Sequence, residues 1–104
     1  MSGMDNTSFT VRTVTGTTDT LLNTDSVIIY TNTAAKTCNL PAVAAIQPGR
    51  KFSVINTAAG AVTVDPAGAE LIDGAATYVV PATLGRVEFI STGTAWFTTS
   101  EVVV

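Results

Sequence analysis

Few side chains in this sequence could do chemistry, and the types that most often do so are scarce. Histidine is absent and Cys38 is the only cysteine, which removes Ser–His–Asp and Cys–His nucleophile systems together with most zinc sites. Glu70 and Asp73 stand three residues apart and are the one pair that could serve as the two carboxylates of a glycoside hydrolase. Nothing beside them would raise one carboxyl into the range of an acid catalyst, and Asp73–Gly74 reads more simply as turn chemistry. Asp19, Asp25, Asp65 and Asp73 could offer oxygens to a hard cation, yet no Asp-x-Asp-x-Asp spacing occurs, and capping of turns is the stronger reading. The glycines are isolated, and none leads from a strand into a helix, so no phosphate loop is present. Tyr30, Tyr78 and Trp96 could stack on a sugar ring, although aromatics in a β-domain serve more often as anchors of a core or an interface. The expectation is a protein that is not an enzyme and has no cofactor and no metal.

The elements that would position these residues are strands. Nineteen Thr, 14 Ala and 13 Val stand against 4 Phe, 2 Tyr and 1 Trp. Branching at Cβ suits a pleated, half-buried surface and disfavours a helix interior. At 104 residues the chain has the size of one domain. With 46% hydrophobic and only 12% charged residues, a domain this small gains stability by associating with itself. Arg12, Lys36, Arg50, Lys51 and Arg86 are scattered through a chain of net charge −3, which offers no basic stripe and argues against nucleic acid as a partner. A single cysteine excludes an intrachain disulfide, and Cys38 is expected in the core as a small apolar side chain. No signal-peptide pattern opens the sequence and no apolar run reaches bilayer length, so synthesis in the cytoplasm and no membrane association are expected.

Along the chain, residues 1–8 are small and polar and read as a flexible N-terminal arm, with residues 9–104 as a single β-domain. Strands are expected at Phe9–Thr15, Val27–Thr31, Thr37–Leu40, Lys51–Thr57, Val62–Asp65, Thr77–Val80, Val87–Ile90 and Ala95–Thr99, with a short apolar step at Thr20–Leu22. Gly16–Asp19 and Asn23–Ser26 read as turns, and Ala42–Ile46, held between Pro41 and Pro48–Gly49, as a loop or a single helical turn. Lys51–Thr57 and Val62–Asp65 are predicted to form a hairpin through Ala59–Gly60, and Val87–Ile90 and Ala95–Thr99 a second one. Asp73–Gly74 signals a turn with positive φ, and Trp96 and Phe97 should face opposite sides of their strand. The apolar end, Glu101–Val104, should be paired as a strand, on this chain or a neighbour. These short strands predict an all-β fold, either a compact β-sandwich or an intertwined, short-stranded β-module.

Six segments taken in order carry a family resemblance. They are Asp25–Ser26–Val27–Ile28–Ile29; Cys38–Asn39–Leu40–Pro41; Pro48–Gly49 through Asn56; Val62–Thr63–Val64–Asp65–Pro66–Ala67–Gly68; Glu70–Leu71–Ile72–Asp73–Gly74; and Gly93–Thr94–Ala95–Trp96–Phe97. From Thr13 to Phe97, roughly four-fifths of its length, the chain resembles surface modules of tailed-bacteriophage virions, tail fibres among them. The resemblance implies a short-stranded β-module, a homotrimer, displayed on a virion surface. A tail fibre resembles a longer chain with an attachment domain before the module and a tip after it. A short arm plus one β-module looks more like a head decoration or cement protein. On that reading the major capsid protein is the partner, and Met1, Ser2, Gly3, Met4, Asp5 and Asn6 contact the capsid. Trp96, Phe97, Val102, Val103 and Val104 lie at contacts between subunits. The alternative is a tail-fibre or tail-tip module that binds a host surface glycan through its loops.

Overall fold

Residues 10–102 are described by a computed structural model. Period-two alternation is visible throughout: on Lys51–Asn56 the side chains of Phe52, Val54 and Asn56 are buried, while Ser53 and Ile55 face outward. The strands in chain order are β1 (Thr10–Val14), β2 (Thr18–Thr20), β3 (Asp25–Tyr30), β4 (Lys36–Asn39), β5 (Lys51–Asn56), β6 (Val62–Asp65), β7 (Tyr78–Val80), β8 (Gly85–Ser91) and β9 (Trp96–Val102), with one 3-10 turn at Val43–Ala45. They form two mixed sheets, one in the order β1-β3-β5-β8-β9 and one in the order β2-β4-β6-β7.

From β1 to β6 the chain alternates between the sheets, and within each sheet successive passes pair in parallel. The first six strands are therefore three stacked coils. Threonine marks the corner after each pass through the larger sheet, at Thr15, Thr31 and Thr57. The Thr31 N–H donates to Val14 O at 3.1 Å and the Thr57 N–H to Tyr30 O at 3.0 Å. Both hydroxyls donate to the same two carbonyls, so the ladder continues past the strand ends. On the other side Leu21 and Leu40 extend it, their N–H groups donating to Asn39 O and Asp65 O at 2.9 Å.

The predicted hairpin of β5 and β6 does not form, because these strands lie in different sheets. The segment 57–61 crosses from one sheet to the other. Asn56 fixes that crossing: its Nδ2 donates to Gly60 O at 2.8 Å and its Oδ1 accepts from the Ala58 N–H. Gly60 has φ +83, and a Cβ there would come within 2.6 Å of the Thr33 and Ala34 backbone, so one corner rests directly on the one before it. Thr18 and Asp19, expected in a turn, are strand residues, paired with Thr37 and Cys38.

Three antiparallel strands finish the stack, with β7 on β6, β8 on β5 and β9 on β8. The hairpin of β8 and β9 is as predicted. Asp73 and Gly74 have φ of 51 and 80, and Ile72 and Ala75 exchange both backbone hydrogen bonds at 2.8 Å. This is the two-residue turn whose positive φ angles match strand twist. Both sheets contribute to one apolar core that includes Ile28, Tyr30, Phe52, Val54, Val64, Phe89 and Trp96. Phe52 and Trp96 pack tilted at 5.8 Å, and Tyr78 and Phe89 edge to face at 5.6 Å, each pair adding about 0.5–1.5 kcal/mol beyond its buried area.

Candidate functional site

Among the described residues, polar side chains converge at several places. At the first coil, Arg12 on β1 points inward and holds two carboxylates. Nη1 and Nη2 donate to Asp19 on β2 at 3.0 and 2.7 Å, while Nε and Nη2 donate to Asp25 on β3 at 3.0 and 2.8 Å. Asp25 is 1% exposed and also accepts the Leu22 N–H at 2.8 Å, closing the turn before its own strand. Burial pushes its carboxyl up, but the Arg12 hydrogen bonds, the Leu22 N–H and the charges of Arg12 and Arg50 outweigh that and leave it below the usual value. The two carboxylates, Asp25 foremost, raise the guanidinium further above its ordinary range.

Lys36 on β4 is 2% exposed and has no carboxylate beside it among the described residues. Its Nζ donates to three carbonyls, those of Asn32, Ala59 at 3.1 Å and Gly60 at 2.9 Å. Its three donors are thereby matched, and the ammonium ties the second coil corner to the third. Burial pulls its pKa down.

Glu70 and Asp73 are both occupied by backbone. The Glu70 carboxylate accepts the Val43 N–H at 3.2 Å, at the start of the 3-10 turn. Asp73 accepts the Thr98 N–H at 3.0 Å and the Thr98 hydroxyl at 2.7 Å. Each ties a loop to the stack. At the end of the sheets opposite β1 and β2, the Tyr78 hydroxyl on β7 donates to Glu101 on β9, and burial together with that carboxylate pushes the phenol up.

Of the three candidate sugar-stacking aromatics, Tyr30 and Trp96 are fully buried, and Tyr78 packs its ring on Phe89. The Tyr30 hydroxyl and the Trp96 indole N–H have no hydrogen-bond partner among the described residues. Cys38 is buried, as expected, and burial pushes its thiol up to about 12. Among the described residues no three His, Cys, Asp or Glu side chains gather where they could hold a metal ion, and no helix is long and apolar enough to cross a membrane.

Trp96 and Phe97 face opposite sides, as predicted, and this divides the expected interface residues. Trp96 sits in the protomer's own core and cannot present its ring to another subunit, which corrects its assignment to a subunit contact, whereas Phe97 is 46% exposed. Val102 pairs with Arg86 on β8 and is exposed. Met1, Ser2, Gly3, Met4, Asp5 and Asn6, and likewise Val103 and Val104, lie outside the described residues. The outer face of the larger sheet carries a groove of about 240 Å³, lined among others by Val27, Ser53, Ile55, Arg86, Glu88 and Val102. The sequence had not marked this groove; its only trace there is aliphatic residues at the outward positions of β3 and β5.

No protein-family model and no curated protein matches the sequence.

Proposed function

We propose that the protein is a non-enzymatic structural module of a virus particle, a capsid decoration or cement protein that binds the outside of the head and stabilises it. One observation supports a structural role above a chemical one. The side chains with the greatest chemical potential, Arg12, Asp19, Asp25, Lys36, Glu70 and Asp73, bind this chain's own backbone or each other and hold coils, corners and loops together. The virus-particle part of the reading rests on the six ordered segments of the resemblance. In this reading residues 1–8 meet the major capsid protein, and the β-module spans neighbouring capsid subunits.

The test is to label the protein on intact particles, image its position, and heat particles with and without it. Label over the head and an earlier loss of capsid integrity in particles lacking the protein are expected. Label confined to the tail, or no effect on the heated capsid, would sink the decoration reading.

A further inference from the structure

The two sheets present opposite outer surfaces. On the smaller sheet the outward positions of β2, β4 and β6 are Thr18, Thr20, Thr37, Asn39, Thr63 and Asp65. On the larger sheet they include Val11, Val27, Ile29, Ile55 and Val102, with Val11 68% exposed. Val11, Val27, Ile29 and Ile55 adjoin one another across β1, β3 and β5, with Val102 on β9 beyond Arg86, and an apolar patch of this kind on a small chain marks a contact surface.

Its charges suggest what covers it. Strand register aligns Val27, Ser53, Glu88 and Ser100 in one row across the sheet, and Ile29, Ile55, Arg86 and Val102 in the next. Arg86 is exposed and makes no ion pair or hydrogen bond among the described residues. Glu88, two positions along the same strand face, accepts from the Thr99 hydroxyl and stands 3.9 Å from Lys51. Two opposite charges on adjacent rows of one strand complement themselves when the face is turned over.

We propose that this face binds a second copy of the chain about a two-fold axis that runs along the rows above Val87. That operation lays each row on the other row of the second copy. Arg86 meets Glu88 of the second copy, Glu88 meets its Arg86, and Ile29 packs against its Val27. Sheets packed face to face lie about 10 Å apart, within reach of an arginine, and the guanidinium can bind the carboxylate through two parallel hydrogen bonds. A two-fold contact must be self-complementary in this way. The family resemblance implies three copies, whereas the charge spacing on β8 argues for two. The inference is independent of the virus-particle reading.

Sedimentation of the purified protein is expected to show a dimer, and Arg86→Glu and Glu88→Arg, each of which sets like charges opposite each other, should weaken it by about tenfold or more. The decisive sample is an equimolar mixture of the two single variants. In it every 86–88 contact is again between opposite charges, so a heterodimer of wild-type affinity is expected. The double variant Arg86→Glu/Glu88→Arg should also dimerise, and its circular dichroism and melting temperature guard against misfolding. A monomeric wild type, single variants that remain associated, a mixture that stays monomeric, or a wild-type trimer would each overturn the proposal.

Discussion

Arg12 and Asp19 belong to different sheets, and two parallel hydrogen bonds of 3.0 and 2.7 Å join them across the end of the core. Because the same guanidinium also holds Asp25 on the neighbouring strand, one arginine links the first coil to the second as well as one sheet to the other. The two carboxylates are not equivalent: the Asp19 side chain is 19% exposed and that of Asp25 is 1% exposed. Their removal should therefore have unequal effects.

Asp25→Ala is expected to destabilise the fold by about 3–5 kcal/mol, since it leaves a partly buried guanidinium short of a partner and the Leu22 N–H without an acceptor. Asp19→Ala should cost about 1 kcal/mol, closer to an exposed pair. Urea denaturation of both variants checks this, and equal losses would show that the buried carboxylate has no special role.

The acid limb of stability should belong largely to the same residue. The Asp25 carboxyl is held below its ordinary value in the folded chain, so below that value the unfolded chain binds the extra proton first. The stabilisation is complete above an unfolded pKa of about 3.9 and disappears as pH falls through the lower folded value. Denaturation midpoints measured from pH 6 down to pH 2 should fall steeply for the wild type and more gently for Asp25→Asn. Parallel curves would assign the acid limb to other groups.

Lys36→Met should destabilise the chain by about 1–3 kcal/mol, although methionine fits an apolar site, because three carbonyls at two coil corners lose their donor. Hydrogen exchange gives the sharper readout. Amides of residues 57–61 should lose protection before those of β8 and β9, and uniform loss would mean that Lys36 does not act at the corners.

Gly60 and Gly74 both have positive φ, but only at Gly60 would a Cβ strike backbone. Gly74→Ala should cost about 1–2 kcal/mol, the backbone penalty alone, and Gly60→Ala clearly more, because the corner must move off Ala34. Comparable melting temperatures for the two variants would contradict direct stacking of the corners.

The Cys38 thiol, buried and pushed up to about 12, should react with iodoacetamide no faster than the core opens. Its labelling rate is expected to rise with urea in parallel with unfolding. Rapid labelling in buffer would mean that β4 opens on its own.

The faces of the strands were readable from the sequence, but their neighbours were only partly so. Period-two alternation set Trp96 and Phe97 on opposite faces of their strand without saying which face is buried, and the Asp73–Gly74 dipeptide carried its own turn geometry. Alternation says which side of a sheet a residue faces, not which strand lies beside it, and a short Ala–Gly linker is as compatible with a crossing between sheets as with a hairpin. The parallel pairing joins residues such as Val14 and Tyr30, or Tyr30 and Asn56, whose separation in sequence leaves no local mark. The threonines at 15, 31 and 57, each following a strand, were the available sign of the coils. Nothing local marks Lys36 as buried, because its acceptors come from two corners that only the folded stack brings together. The Arg12 cluster was likewise hidden, since its three members lie on three different strands.

The stack also separates what must be conserved in length from what need not be. Between β2 and β3 the return to the larger sheet takes residues 21–24, whereas between β4 and β5 the same return takes residues 40–50 and folds a 3-10 turn on the way. Both segments leave and rejoin the ladder at equivalent rungs, so the longer one is an excursion whose size the coils do not dictate. Val43 and Ile46 anchor it and Glu70 caps it, while Ala44, Ala45 and Gln47 face solvent. Relatives of this chain could diverge at that corner by insertion or exchange of segments with the scaffold unchanged, which makes it the natural graft point for a foreign peptide.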